Sequence, residues 1–270
     1  MTDFDVSYFE RLEAARRHWW VRGMQEVAAA LLGDIAPGLP VLDAGCGTGA
    51  MLPWLSRIAQ PTPVIAFDVA PAAIARCRQL GLDVHLALAS VLSPPYRDAS
   101  FDLVVSMDVL QHLTTEAAAA ALAEMRRVLR PGGRLLVRTN AAFGRSHVEE
   151  RDDWRLYRPE SLREALRGAH FDVETLTPAN SLQALWASIP RPGQRSHACR
   201  HGNGPHGAQA GVRGPERSVA GLGIPTPVSP LKNRLLLTVL QAEARWLARP
   251  GRRLPFGHSL YAVARRPAER

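Results

Sequence analysis

Three glycines on alternate positions, Gly45, Gly47 and Gly49, follow an apolar run and an acid in the stretch Val41-Leu42-Asp43-Ala44-Gly45-Cys46-Gly47-Thr48-Gly49-Ala50-Met51. Glycines between a strand and a helix let the main chain approach a ligand closely and leave N–H groups free at the helix start. Two classes of ligand use that arrangement. A dinucleotide fits the loose G-x-G-x-x-G/A pattern, which Gly45, Gly47 and Ala50 satisfy, with Asp68 at a suitable distance to hold ribose hydroxyls. Asp43 opposes that reading, because a carboxylate just before the first glycine repels a pyrophosphate. A cationic ligand is attracted by the same charge.

A second set of reactive side chains lies in residues 141–162, AAFGRSHVEERDDWRLYRPESL. Loops beyond the C-terminal strand ends carry the ligand sites of open α/β sheets, so a general base, if the chemistry needs one, is expected here, His147 first and Tyr157 second. Glu149, Glu150, Asp152 and Asp153 are read as a charged loop face, and no metal is expected. Cys46, Cys77 and Cys199 are odd in number, scattered and never paired as C-x-x-C, which supports neither a disulfide framework nor a cysteine zinc site. Three reduced thiols are expected.

These residues need a scaffold. Short apolar runs suited to strands occur at 39–43, 64–68, 84–88, 101–107, 134–139, 171–176 and 259–264, with helix-length segments at 49–59, 71–80, 115–129 and 159–168. Strand and helix in alternation predict a parallel sheet covered by helices on both faces. Pro71 suits a first helical turn, and Pro131-Gly132-Gly133 reads as a stop and turn. Residues 1–38 carry apolar positions at helical spacing and predict an N-terminal helical cap, and 39–178 hold the α/β core. Residues 179–257 read as an insertion, with a Gly/Pro/His/Arg-rich linker at 190–229 and an amphipathic helix at 231–248. Residues 258–270 supply a closing strand and tail. The stripe expected along the inserted helix is Leu231, Leu235, Val239, Ala242 and Trp246.

At 270 residues and 46% hydrophobic content the chain can bury a full core. Its apolar runs are too short to cross a bilayer and its N-terminus shows no basic patch leading into an apolar stretch, so a soluble, cytoplasmic protein is expected. The formal charge of +8 divides unevenly: residues 1–189 contribute −3 and 190–270 contribute +11. A basic C-terminal third suits nucleic acid or an anionic surface, but a solvated arginine-rich linker is the preferred reading.

The glycine stretch resembles the first motif of the class I S-adenosylmethionine-dependent methyltransferases, Val/Leu-Leu-Asp-x-Gly-x-Gly-x-Gly. Four further segments match that family in order: Asp68 closing VIAFD, the loop after the third strand at Ser90-Val91 in a departing form, the fourth-strand region ASFDLVVSMDVLQHL at 99–113, and MRRVLRPGGRLLV at 125–137. The resemblance thus covers roughly 39–178 plus the closing strand near 259–264. His18-Trp19-Trp20-Val21-Arg22-Gly23 resembles an element ahead of the first motif in a bacterial subgroup acting on small metabolites or glycosylated natural products.

The resemblance implies a Rossmann-like, doubly wound seven-stranded α/β fold, mostly parallel, with an antiparallel last strand. It also implies a cofactor, S-adenosyl-L-methionine, held by Asp43, Gly45, Gly47 and Gly49, by Asp68 and Val69 at the ribose, and by Ser90 and Val91 at the adenine. Ser90 stands where the family places an Asp. Met107 and Asp108 would line the methionine end, and Gln111 and His112 would begin the loop that follows, with His112 counted among the cofactor-binding residues. Trp20 would cover the cofactor with an aromatic face attractive to a sulfonium, and Arg22 would pair with the methionine carboxylate. Trp19 and Trp20 read equally well as packing. Leu92-Ser93-Pro94-Pro95-Tyr96 looks like the signature of methyltransferases acting on exocyclic amines, but it precedes the fourth strand instead of following it. The function expected is methylation of a small organic acceptor at O, N or C. The alternatives are an RNA methyltransferase or nucleic-acid-binding module using the basic third and, last, an NAD-dependent oxidoreductase.

Overall fold

The computed structural model of the chain describes residues 18–142, 155–188 and 228–268. Its framework is a seven-stranded sheet in the order β3-β2-β1-β4-β5-β7-β6. The strands are β1 (Val41–Ala44), β2 (Val64–Asp68), β3 (Val84–Leu88), β4 (Phe101–Met107), β5 (Leu129–Asn140), β6 (Asp172–Ala179) and β7 (Ser259–Arg265). β1 to β5 pair in parallel, whereas β7 runs antiparallel between β5 and β6. All seven expected strands are present, and the last one is antiparallel as the resemblance implied.

The helices are α1 (Trp19–Leu32), α2 (Leu52–Ala59), α3 (Pro71–Arg78), α4 (Thr115–Val128), α5 (Pro159–Gly168), α6 (Ser181–Ser188) and α7 (Pro230–Leu247). Local chemistry sets their starts. The His18 side chain accepts from the Trp20 N–H, and Thr114 accepts from Ala117 N–H, while proline occupies the first turn of α3 and of α5. Strand residues alternate between two apolar layers: Val41, Ala66, Tyr261 and Val263 face α1, α2, α3 and α7, and Leu42, Phe67, Leu260 and Ala262 face α4 and α5.

Two local expectations are corrected. The helix ahead of Pro131-Gly132-Gly133 ends at Val128, as expected, but the strand begins at Leu129 instead of after the glycines, which form an irregular entry into β5 where the pairing with β4 shifts between Phe101–Leu129 and Leu103–Arg134. Helix α7 also packs with a different face from the one read in the sequence. Leu237, Leu240, Ala244 and Leu247 are buried, whereas Leu231, Leu235 and Trp246 of the expected stripe are exposed. The inner face lies on α1, where Trp19 N–H donates to Asn233 Oδ1 (2.7 Å) and Leu240 sits over Gly23. The N-terminal cap and the inserted helix therefore form one two-helix layer.

Candidate active site

The strand order reverses at β1: β2 lies on one side of it and β4 on the other. A crevice opens at such a switch point beyond the C-terminal strand ends. The glycine turn leaves β1 there. Gly45, Gly47 and Gly49 all have positive φ (83°, 53° and 78°), a conformation costly to other residues. Their surroundings differ. A Cβ on Gly45 would meet Val109 Cγ2 at 2.4 Å and one on Gly49 would meet Leu80, Leu52 and Cys77, but one on Gly47 would meet nothing within 4 Å. Gly45 and Gly49 thus serve packing, and Gly47 faces open space.

Gly45 and Cys46 N–H groups donate to the Phe67 carbonyl, and Gly47 N–H donates to Asp68 Oδ2 (2.9 Å). Asp68 Oδ1 accepts from Ala70 N–H (2.9 Å). Burial raises the Asp68 pKa, opposed by the N–H donors of Ala70, Gly47 and Val69 and by the nearby charge of His112. Asp43 is buried, and its Oδ2 has no hydrogen-bond partner. Burial, and secondarily the neighbouring Asp68, push its carboxyl up to about 7. The two acids expected to bind ligand are therefore brought together, one tied to the turn's backbone and the other unpartnered.

Along the crevice, Val69 is exposed at the end of β2, and Ser90 Oγ accepts from Leu92 N–H (3.2 Å), shaping the loop that carries Val91. Met107 closes β4 and packs against the layer holding α1. The Gln25 amide of α1 donates to the Ala50 carbonyl, fastening the cap to the glycine turn. Asp108, in the left-handed region (φ 63°), does not stand as a free carboxylate: it forms an ion pair with Arg138. Arg138 also donates to Ser259 Oγ (2.8 Å), and its guanidinium lies 4.5 Å from the centre of the Trp20 ring. Trp20 is thus fixed by a cation on its face.

Arg22 follows Trp20 by two residues, roughly 200° round the helix, and is exposed on the side away from Met24 and Val27. Tyr157 is buried in the layer of α4 and α5, and its hydroxyl donates to the Leu110 carbonyl (3.2 Å), with its pKa raised by burial. His112 ends a short 3-10 turn, Leu110–His112, where a plain loop was expected. His147 and the acids Glu149, Glu150, Asp152 and Asp153 lie outside the described residues, as does Cys199. Cys46 and Cys77, far apart in sequence, have their sulfurs 3.8 Å apart beneath the glycine turn.

Arg138 is the site residue that sequence reasoning missed. The available signal was a single cation directly after the apolar run Leu135-Leu136-Val137. The Leu92–Tyr96 segment is structural: Arg127 donates to the carbonyls of Pro94 and Tyr96, and the Tyr96 ring packs edge-on against Phe101.

Residues 42–137 match the model of a methyltransferase domain. The chain is 34% identical over 165 residues to a protein of Mycolicibacterium smegmatis described as a probable S-adenosylmethionine-dependent methyltransferase, covering 59% of this chain and 62% of that one. It is 37% identical over 132 residues to the malonyl-[acyl-carrier protein] O-methyltransferase of Serratia marcescens, covering 44% and 49%. Other relatives bear tRNA methyltransferase names. The chain thus spans less than two thirds of the curated relatives it matches. Among solved structures, the Burkholderia thailandensis 1,6-didemethyltoxoflavin N1-methyltransferase, bound to S-adenosylhomocysteine, shares the fold with a TM-score of 0.53 at 18% identity, over 91% of this chain and 78% of that one.

Proposed function

The chain belongs, through its methyltransferase domain, to the class I S-adenosylmethionine-dependent methyltransferases, and from that premise we propose that it transfers the methyl group of S-adenosylmethionine to a small organic acceptor at O, N or C. The Asp43 carboxyl carries this reading. It is buried, one oxygen lacks a partner, and it stands at the foot of a turn whose middle glycine faces open space. The ionised carboxylate attracts a ligand that bears positive charge, whereas it repels a diphosphate. The oxidoreductase alternative falls with the family assignment.

The residues present fit the group. S-adenosylmethionine, when bound, supplies a methyl carbon made electrophilic by the adjacent sulfonium. Asp43 holds the cationic end, and the Asp68 oxygens each keep a lone pair beyond the one taken by Gly47 or Ala70 N–H, enough to accept ribose hydroxyls. Val69 offers an apolar bed, with Ser90 and Val91 at the base edge. Met107 and His112 border the methionine end, and Trp20, fixed by Arg138, roofs it. Attack on so activated a carbon needs chiefly alignment, worth about 7–11 kcal/mol, and a base only where the acceptor must lose a proton. His147 remains the proposed base.

A small acceptor agrees with a crevice bordered by Trp20 and Gln25 of α1, and an acyl-carrier-bound acceptor agrees with the name of one relative. RNA is the second reading, motivated by the +11 charge of residues 190–270 and by the relatives named for tRNA. Calorimetry with S-adenosylmethionine, its demethylated product and NAD tests the cofactor: the first two should bind and NAD should not. Transfer of labelled methyl groups to a metabolite extract and to total RNA tests the acceptor. Label in RNA alone would overturn the small-acceptor reading, and absence of donor binding would overturn the whole.

A further inference from the structure

Helix α7 is apolar on two opposite faces. Its inner face packs on α1. On its outer face Leu231 is 80% exposed, Leu235 64% and Trp246 38%, and Ala242 is exposed between them. Their helical spacing aligns the four in one stripe. A helix apolar on both sides is ordinarily covered on both.

Within α7 and the turn that follows it the exposed charge has one sign, and the nearest exposed acids, Glu26 and Asp34 of the α1 side, lie across the groove that they share with Gln241 and Arg245. Between residues 230 and 253 stand the cations Lys232, Arg234, Arg245, Arg249, Arg252 and Arg253, all exposed. The guanidiniums of Arg249 and Arg252 lie over the Trp246 ring at 5.8 and 4.4 Å. The one acid in that span, Glu243, is turned inward, where it accepts from the N–H groups of Asn180 and Ser181 (2.7 and 2.9 Å) at the start of α6. Helix α6 in turn exposes Leu182 and Leu185. The outer face thus offers leucines, a tryptophan and cations, with no exposed acid on α7.

We propose that the outer face of α7 docks on an anionic lipid bilayer. Leu231, Leu235 and Trp246 enter the interface, and the arginines pair with headgroup phosphates while their aliphatic stems lie along the apolar surface. The charge pattern selects this occupant. A second copy placed face to face would set like cations against one another, and a nucleic acid would neutralise the cations while leaving the leucines in water. No helix among the described residues is long and apolar enough to cross a membrane, so this contact is peripheral.

The full chain is tested by flotation with phosphatidylcholine vesicles, with and without phosphatidylglycerol, together with quenching of tryptophan emission by brominated lipid. Binding should require phosphatidylglycerol and weaken with salt. It should fall about tenfold in L231Q/L235Q and, separately, in R249E/R252E. Both variants alter exposed groups, so their thermal unfolding midpoints should match the parent and exclude misfolding. The proposal is overturned by no binding, by equal binding to neutral vesicles, or by binding that both variants retain. A dimer in light scattering that L231Q/L235Q dissociates would instead assign the face to a second copy. Retention on single-stranded RNA without vesicle binding would assign it to nucleic acid.

Discussion

Arg138, 2% exposed near the end of β5, is paired with Asp108, 31% exposed just past the end of β4. The pair joins two parallel strands at the lip of the crevice, where Met107 stands opposite Arg138 in register. Because the guanidinium also carries the Trp20 ring and bonds Ser259, one buried cation links the cap, the fourth strand and the closing strand. The cap's position over the crevice is therefore set by electrostatics as well as by apolar packing.

Removing the two partners should have unequal effects. Asp108→Ala leaves the deeply buried Arg138 unpaired and is expected to destabilise the fold by about 3–5 kcal/mol. Arg138→Met leaves a half-exposed carboxylate that water can reach and should cost about 1–2 kcal/mol. Urea unfolding of both variants checks the order. Equal losses would mean that solvent reaches Arg138.

Asp43 makes donor binding depend on pH. Its carboxyl titrates near 7 in the folded protein, above its ordinary value, so the folded state binds the proton more tightly than the unfolded chain. The stability this contributes is full below about pH 4 and is lost as pH rises through about 7. A cationic ligand favours the ionised form, so binding expels that proton. Affinity for S-adenosylmethionine should rise with pH up to about 7 and level off above it, with proton release seen by calorimetry in buffers of different ionisation enthalpy. In Asp43→Asn the affinity should be lower and its pH dependence through this range absent.

What could be read from the sequence was whatever is local. The glycine turn, Asp68 and all seven strands are encoded in contiguous residues, and their pattern survives without tertiary knowledge. Direction was not legible. In α7 periodicity identifies a stripe, but with apolar residues on both faces it does not say which one turns inward. The Tyr157 ring is placed beneath Leu110 by the bridge between Ala141 and Tyr157, a contact outside any regular strand. Arg138 acquires its role from Asp108, which is brought beside it only by parallel pairing of β4 with β5. Cys46 and Cys77 meet for a similar reason, because α3 folds back beneath the turn.

The glycines of the turn should separate fold from binding. Gly45→Ala adds a methyl into Val109 at a left-handed position, so strain and overpacking together should cost about 2–4 kcal/mol in unfolding experiments. Gly47→Ala meets no protein atom and should cost only about 1–2 kcal/mol, from the backbone alone. Its methyl projects into the space assigned to the ligand, however, so donor affinity should fall while the protein stays folded. If Gly47→Ala binds the donor normally, that space is not the cofactor's.

The contact between the two cap helices rests on Gly23. A Cβ there would lie 2.2 Å from Leu240 Cδ1, too close for the α1 and α7 backbones to keep their separation. Gly23→Ala should therefore destabilise the protein by about 1–3 kcal/mol through overpacking, despite alanine's higher helix propensity. Leu240→Ala should cost about 2–4 kcal/mol by opening a cavity. The two defects fill one another, so the double variant should be less destabilised than the sum of the singles by about 1–2 kcal/mol. A double-mutant cycle from thermal or urea unfolding measures this coupling. Strict additivity would show that Leu240 does not seat on Gly23, and that the cap is held by its polar ties through Gln25, Asn233 and Arg138 instead.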